Sequence, residues 1–202
     1  ILAPAGNQQA LEAAVRAGAD AVYLGLTDFN ARRTAGNFDA AALQEAAAFC
    51  RARGVKCYLT FNTELMEGEL ARACEALRAA DAAGVDAVIV QDLAAAALVR
   101  RYVPGAVLHA STQMSVHSPA GIRQLARLGF SRAILAREMS LAELRAAAKD
   151  SPIELEVFVH GALCMSMSGQ CYMSAFLGGR SGNRGLCAGP CRLPFSAAQP
   201  PR

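Results

Sequence analysis

The chain has 202 residues, 53% of them hydrophobic and 18% charged, which suits one domain with a sizeable core and excludes a disordered chain. A net charge of +3 is too small to mark a nucleic-acid binder by bulk charge alone, and no apolar run reaches the roughly 18 residues of a membrane span. Seven cysteines are an odd number, and without a secretory leader they argue for metal or redox chemistry over a disulfide frame.

The chain starts at Ile1 with no Met and no basic stretch, so it reads as a fragment that begins inside a strand and belongs in the cytoplasm. Short apolar runs then alternate with Ala-rich stretches. Strands are predicted at 1–5, 21–25, 56–62, 87–92, 107–111, 132–136 and 154–159. These runs are mostly continuous rather than alternating, as in parallel strands buried on both faces. Helices are predicted at 8–16, 39–53, 67–83, 93–102, 119–128 and 140–148. Ser118 before Pro119 is a start signal, and Ser140 with Glu143 resembles a capping box. The phrases Gly18-Ala-Asp-Ala-Val22 and Gly84-Val-Asp-Ala-Val88 each close a helix and enter a strand.

Repeated βα units imply a barrel or an open doubly wound sheet. No G-x-G-x-x-G follows the first strand, and polar residues recur at strand C-terminal ends, so the expected fold is an incomplete TIM-type (β/α) barrel of about seven units. An eighth strand is expected beyond Arg202. The polar residues are Asn7, Asn30 with Arg32, Asn62, Gln91 with Asp92, His109 with Ser111 and Gln113, Arg137 with Glu138, and His160. In a barrel they converge on one mouth, where active sites are built.

Residues 1–160 hold the barrel units, and residues 161–202 form a Cys-, Gly- and Arg-rich segment expected to pack at that mouth. Cys164, Cys171, Cys187 and Cys191 are spaced C-x6-C-x15-C-x3-C, unlike the C-x2-C pairs of zinc ribbons. Four thiolates suit an iron–sulfur cluster; zinc and reduced structural cysteines are the alternatives. Cys50, Cys57 and Cys74 sit singly and read as core residues. Four of the 20 Lys and Arg residues follow Glu156 with no Asp or Glu among them, leaving 16 cations against 17 anions up to Glu156. The four are Arg180, Arg184, Arg192 and Arg202. A basic site suits an anionic substrate; a solvated loop, or arginines balancing thiolates, is the bland reading. Met165, Met167 and Met173 read as packing rather than a copper site, and Tyr172 is a lone stacking candidate.

The stretch Glu156-x-Phe158-x-x-Gly161-Ala162-Leu163-Cys164, followed by Gly169-x-Cys171-x-Met173-Ser174, resembles the signature of the peptidase U32 family, the collagenase-like proteases. The openings Leu2-Ala-Pro-Ala-Gly-Asn7 and Gly18-Ala-Asp-Ala-Val-Tyr23 are similar too. His109-Ala-Ser-Thr-Gln113, Leu135-Ala-Arg-Glu138 and Asn183-Arg-Gly-x-Cys187-x-x-x-Cys191-Arg192 resemble the branch that hydroxylates RNA. The resemblance implies more than one activity: cleavage of collagen in some members, iron–sulfur-dependent hydroxylation of a tRNA or rRNA pyrimidine with prephenate as a co-substrate in others, and ubiquinone hydroxylation by paired relatives that carry a 4Fe–4S cluster. The RNA hydroxylation enzyme is the reading taken here. Cys164, Cys171 and Cys187 would be ligands, with Cys191 or a later residue as the fourth.

The residues assigned to such chemistry are His160, Arg137, Glu138, His109 and Gln113 as catalytic groups. Asn30, Arg32, Asn62, Asp92, Arg180 and Arg184 are assigned to substrate binding. Each has a structural alternative: Arg137–Glu138 as a bracing ion pair, the histidines as satisfied core groups, the amides as backbone caps. A peptidase reading uses Cys164 as nucleophile, His160 as base and Asp92 to orient it, on peptide or collagen. A non-catalytic scaffold whose metal site only supports the fold is the third class.

Overall fold

The computed structural model describes residues 1–167 and 169–196; Arg202 of the basic tail lies outside the described residues. Seven strands alternate with helices along the chain. They are β1 (Leu2–Pro4), β2 (Ala21–Gly25), β3 (Lys56–Phe61), β4 (Ala87–Val90), β5 (Val107–Ala110), β6 (Arg132–Ile134) and β7 (Glu154–Glu156). The intervening helices are α1 (Gln8–Arg16), α2 (Ala40–Arg51), α3 (Leu70–Ala83), α4 (Leu93–Tyr102), α5 (Pro119–Arg127) and α6 (Leu141–Lys149). A short α7 (Met173–Gly178), absent from the sequence reading, follows in the cysteine segment.

Each strand pairs in parallel with its sequence neighbours, so the sheet order is β1 to β7 without interruption. The sheet curls into a partial barrel with β1 and β7 at its two edges. The expected incomplete (β/α) barrel is therefore the observed architecture. The curl gives the sheet two buried faces. Val22, Leu24, Leu59, Phe61, Val88, Val90 and Leu108 belong to the large core shared with helix residues such as Leu11, Leu43, Leu77 and Val99. A smaller cluster of Ala21, Tyr58, Ala87, Ile89 and Ile134 fills the inside of the curl. Both faces are apolar, which is why the strand sequences read as continuous runs.

Helix boundaries follow local chemistry. Asn7, Asp39, Asp92, Ser118 and Ser140 each accept a backbone N–H of the first helical turn. The Ser140–Glu143 capping box forms as expected. Helix α3 ends at Gly84, in the left-handed region at φ 68. Strand β7 stops at Glu156, short of the predicted 154–159, and Val157, Phe158 and Val159 are exposed. They have no neighbouring strand among the described residues to extend the ladder. No described helix is long and apolar enough to cross a membrane.

Leu77 of α3 is fully buried, whereas Leu141 of α6 is 62% exposed. Leu77→Ala should lower the unfolding free energy by about 3 kcal/mol in urea titration, and Leu141→Ala by no more than about 0.5 kcal/mol.

Candidate active site at the barrel mouth

A parallel strand order delivers every strand to one rim. A cavity of about 490 Å³ opens there, lined by residues at the C-terminal ends of all seven strands. Pro4, Gly25, Thr60, Ile89, Ser111, Ile134 and Glu156 mark those ends in chain order. The remaining wall comes from barrel loops, among them Arg32, Asn62 and Arg137, and from the cysteine segment, including Cys164, Cys171, Cys187 and Cys191. All four are free thiols; Cys171 and Cys191 are half-buried, and Cys164 and Cys187 are exposed.

Several contacts seat this segment on the strand ends. The buried Asn183 carbonyl accepts the Glu64 N–H at 3.1 Å and the Gln91 side-chain amide at 3.0 Å. Arg184 forks onto both carboxylate oxygens of Glu69, with one bond at 2.7 Å, and donates to the Glu64 carbonyl. The Arg184 fork holds the Glu69 carboxyl down to about 2. Gly185, at φ 72, lies so close to the Asn30 carbonyl that a Cβ would collide with it. Gly169, at φ 75, lies against the Gln113 carbonyl in the same way. Arg192 donates to the Leu163 carbonyl, joining the Cys191 turn to the loop that carries Cys164. The Gly189 N–H points at Cys187 Sγ at 3.4 Å.

The floor carries polar groups from the strands. Glu156 bonds Arg132 at 3.2 Å, and burial pushes its carboxyl upward against the lowering influence of that arginine. Tyr23 is also pushed up by burial, with Arg32 opposing and Glu156 reinforcing the shift. Arg32 and Arg137 bring positive charge to the lining.

The structure gathers Asn30, Arg32, Asn62, Gln113 and Arg137 of the sequence-derived set at this cavity, together with the four cysteines. Asn30 is a brace within it: 2% exposed, it donates to the Leu26 carbonyl and accepts the Arg32 N–H at 2.7 Å. Other sequence-derived residues lie off the lining. Asp92 lies off the cavity, capping α4 through the Ala94 N–H at 2.7 Å and accepting the Leu65 N–H at 2.9 Å. Arg184 is engaged by Glu69, and Arg180 donates to the Leu186 carbonyl at 3.2 Å; neither lines the cavity. Glu138 and His160 are exposed and also outside the lining.

His109 is at the other end of the barrel. It lines a second cavity beside Lys56, Asp86, Arg132 and Glu154, at strand N-terminal ends. Its ring meets Tyr58 edge-on at 4.8 Å between centroids. Burial, with Arg132 nearby, holds it down to about 4, so it is neutral at neutral pH. Strand-end position alone had placed it at the mouth; its side-chain direction takes it away. Sequence reading in turn left Tyr23 and Glu156 without a role. The available signal was Glu154 and Glu156 at spacing two on one strand, a spacing that puts both on one face, where both meet Arg132.

The fold and mouth define a (β/α)-barrel protein with a cysteine-lined, strand-end cavity. The model of peptidase family U32 matches residues 6–202, and the chain belongs to that family. It is 37% identical over 97% of its length to a protein named collagenase from Porphyromonas gingivalis, covering 50% of that protein. It is 39% identical over 97% of its length to a 23S rRNA 5-hydroxycytidine C2501 synthase from Escherichia coli, covering 29% of it. It is 35% identical over 98% of its length to tRNA hydroxylation protein P1 from Bacillus subtilis, covering 47% of it. The chain thus spans half or less of the length of these relatives. Among solved structures, the U32 peptidase Mk0906 superposes with a TM-score of 0.64 at 14% identity, over 77% of this chain and 66% of that one, which shows the shared fold.

The Glu69–Arg184 pair gives a pH prediction. The folded Glu69 carboxyl titrates at about 2 against an ordinary 4.5, so its stabilisation is complete above 4.5 and is lost as pH falls toward 2. Hydrogen exchange should show residues 183–187 losing protection over that interval, and Arg184→Ala should lack the protection already at pH 7.

Proposed function

We propose that this chain carries an iron–sulfur-dependent site for hydroxylating a pyrimidine of tRNA or rRNA. The observation that carries the reading is the convergence of four free thiols on one cavity built from seven strand ends. Relatives named as RNA hydroxylation proteins support it. Residues 161–202 act as the cluster-binding segment of a barrel formed by residues 1–160, and an RNA substrate makes the setting cytoplasmic.

The donor set suits a cluster. Among the described residues no three His, Cys, Asp or Glu side chains are gathered around one point, so the fit lies in donor type and in the cavity that the four cysteines share. Four cysteine thiolates are the usual holders of a 4Fe–4S cluster, and the Gly189 N–H on Cys187 Sγ is the kind of bond that tunes one. When bound, the cluster supplies one-electron chemistry or an open iron for a substrate oxygen.

The chain's own residues do the rest. Arg32 and Arg137 bind an RNA phosphate or the carboxylates of a small anionic co-substrate such as prephenate. Phe158 and Tyr23 offer ring faces to a base, and Met165 and Met167 exclude water. Glu156, pushed upward by burial, exchanges a proton with bound substrate.

The peptidase reading has the P. gingivalis relative in its favour. Cys164 lines the cavity, but no histidine is among the lining residues, and His160 stands outside. That leaves Cys164 without its expected base.

Two measurements test these readings. The full-length protein, purified anaerobically, should carry iron and sulfide in near-equal amounts, and Cys171→Ser or Cys187→Ser should remove both along with the one-oxygen mass gain on RNA. A colourless protein with free thiols overturns the proposal. Cys164→Ser should leave any gelatin cleavage unchanged; its abolition would restore the cysteine peptidase mechanism.

A further inference from the structure

One backbone group sets the orientation of an amide chain in the cavity wall. The Ala31 N–H donates to Asn62 Oδ1 at 2.9 Å. A backbone N–H can only donate, so that oxygen is assigned without ambiguity. The Asn62 NH2 must then face the other way, and it donates to Gln113 Oε1 at 3.0 Å. The Ser111 hydroxyl approaches the same oxygen at 3.5 Å. The acceptor end of Gln113 is therefore engaged. Its Nε2, with two N–H groups, has no acceptor among the described residues, and Gln113 lines the mouth cavity.

Gln113 is also held in place. Its own N–H donates to Ser111 Oγ at 3.2 Å, and its carbonyl lies under Gly169, two residues before Cys171. A donor with a fixed direction beside the cysteine wall favours a ligand that brings an acceptor to it, because a ligand that displaces water from that N–H without replacing the bond loses affinity.

We infer that Gln113 Nε2 is the donor that selects a ring carbonyl of the substrate base, and that Ala31 sets its direction through Asn62. The inference rests on the RNA reading and adds the recognising atom. Both pyrimidines carry such a carbonyl at O2; adenine carries none. An exocyclic amine placed there would meet a second donor and be rejected.

The test uses the full-length protein with iron content and melting temperature as controls. Gln113→Glu keeps the bond from Asn62 but turns an acceptor toward the base. It should lower kcat/KM for RNA roughly tenfold to hundredfold with iron unchanged. Asn62→Asp should do the same by turning Gln113. Its carboxylate still takes the Ala31 N–H but opposes the Gln113 oxygen, so the Gln113 amide must flip. Activity retained by both variants, in a protein whose wild type hydroxylates RNA, overturns the inference.

A wild type that hydroxylates no RNA defeats the broader reading instead. Binding of uridine and adenosine oligonucleotides then decides the inference. A uridine preference lost in Gln113→Glu upholds it, and equal binding by wild type and variant overturns it.

Discussion

Seven parallel strands that pair only with their sequence neighbours return the chain to the same rim after every helix. That constraint concentrates loop residues at one end of the sheet and leaves the other end to short helix-to-strand turns. The mouth is consequently assembled from segments far apart in sequence. Its amide chain joins residues 31, 62 and 113, and its seal joins residues 69 and 184. No single stretch of the chain contains the site.

Close backbone approach holds the cysteine segment there. Gly185 on the Asn30 carbonyl and Gly169 on the Gln113 carbonyl leave no room for a side chain. These two contacts place the second and third cysteines beside two residues of the polar wall. Charge reinforces the seating, because Arg184 reaches Glu69 where both side chains are largely buried and bidentate geometry strengthens the pair. Arginines of the basic segment thus act partly inward: Arg184, Arg180 and Arg192 donate to the protein itself. The positive charge at the cavity comes from Arg32 and Arg137, on barrel loops.

The barrel interior is polar in an unusual place. Arg132 reaches Glu154 at the N-terminal cavity and Glu156 at the mouth, so one guanidinium links the two ends of the curl. Its proximity helps keep His109 neutral and works against the upward push of burial on Glu156. The chemistry available at the mouth therefore depends on a residue outside its lining.

Local pattern by itself determined the order of strands and helices, the parallel sheet and the caps at Ser118 and Ser140. Those features depend on residues within one or two turns of each other. The motif from Glu156 to Ser174 likewise identified the family, because a long run of fixed spacings is specific in one dimension. Tertiary structure alone decided which polar residues meet. His109 and Ser111 are two apart, yet one lines the N-terminal cavity and the other the mouth. Asp92 and Arg184, expected to meet substrate, found partners in Leu65 and Glu69 instead. The physical reason is common to these cases: position along the chain fixes roughly where a residue's backbone lies, whereas its side chain's partner is set by the curl and by loops many residues away.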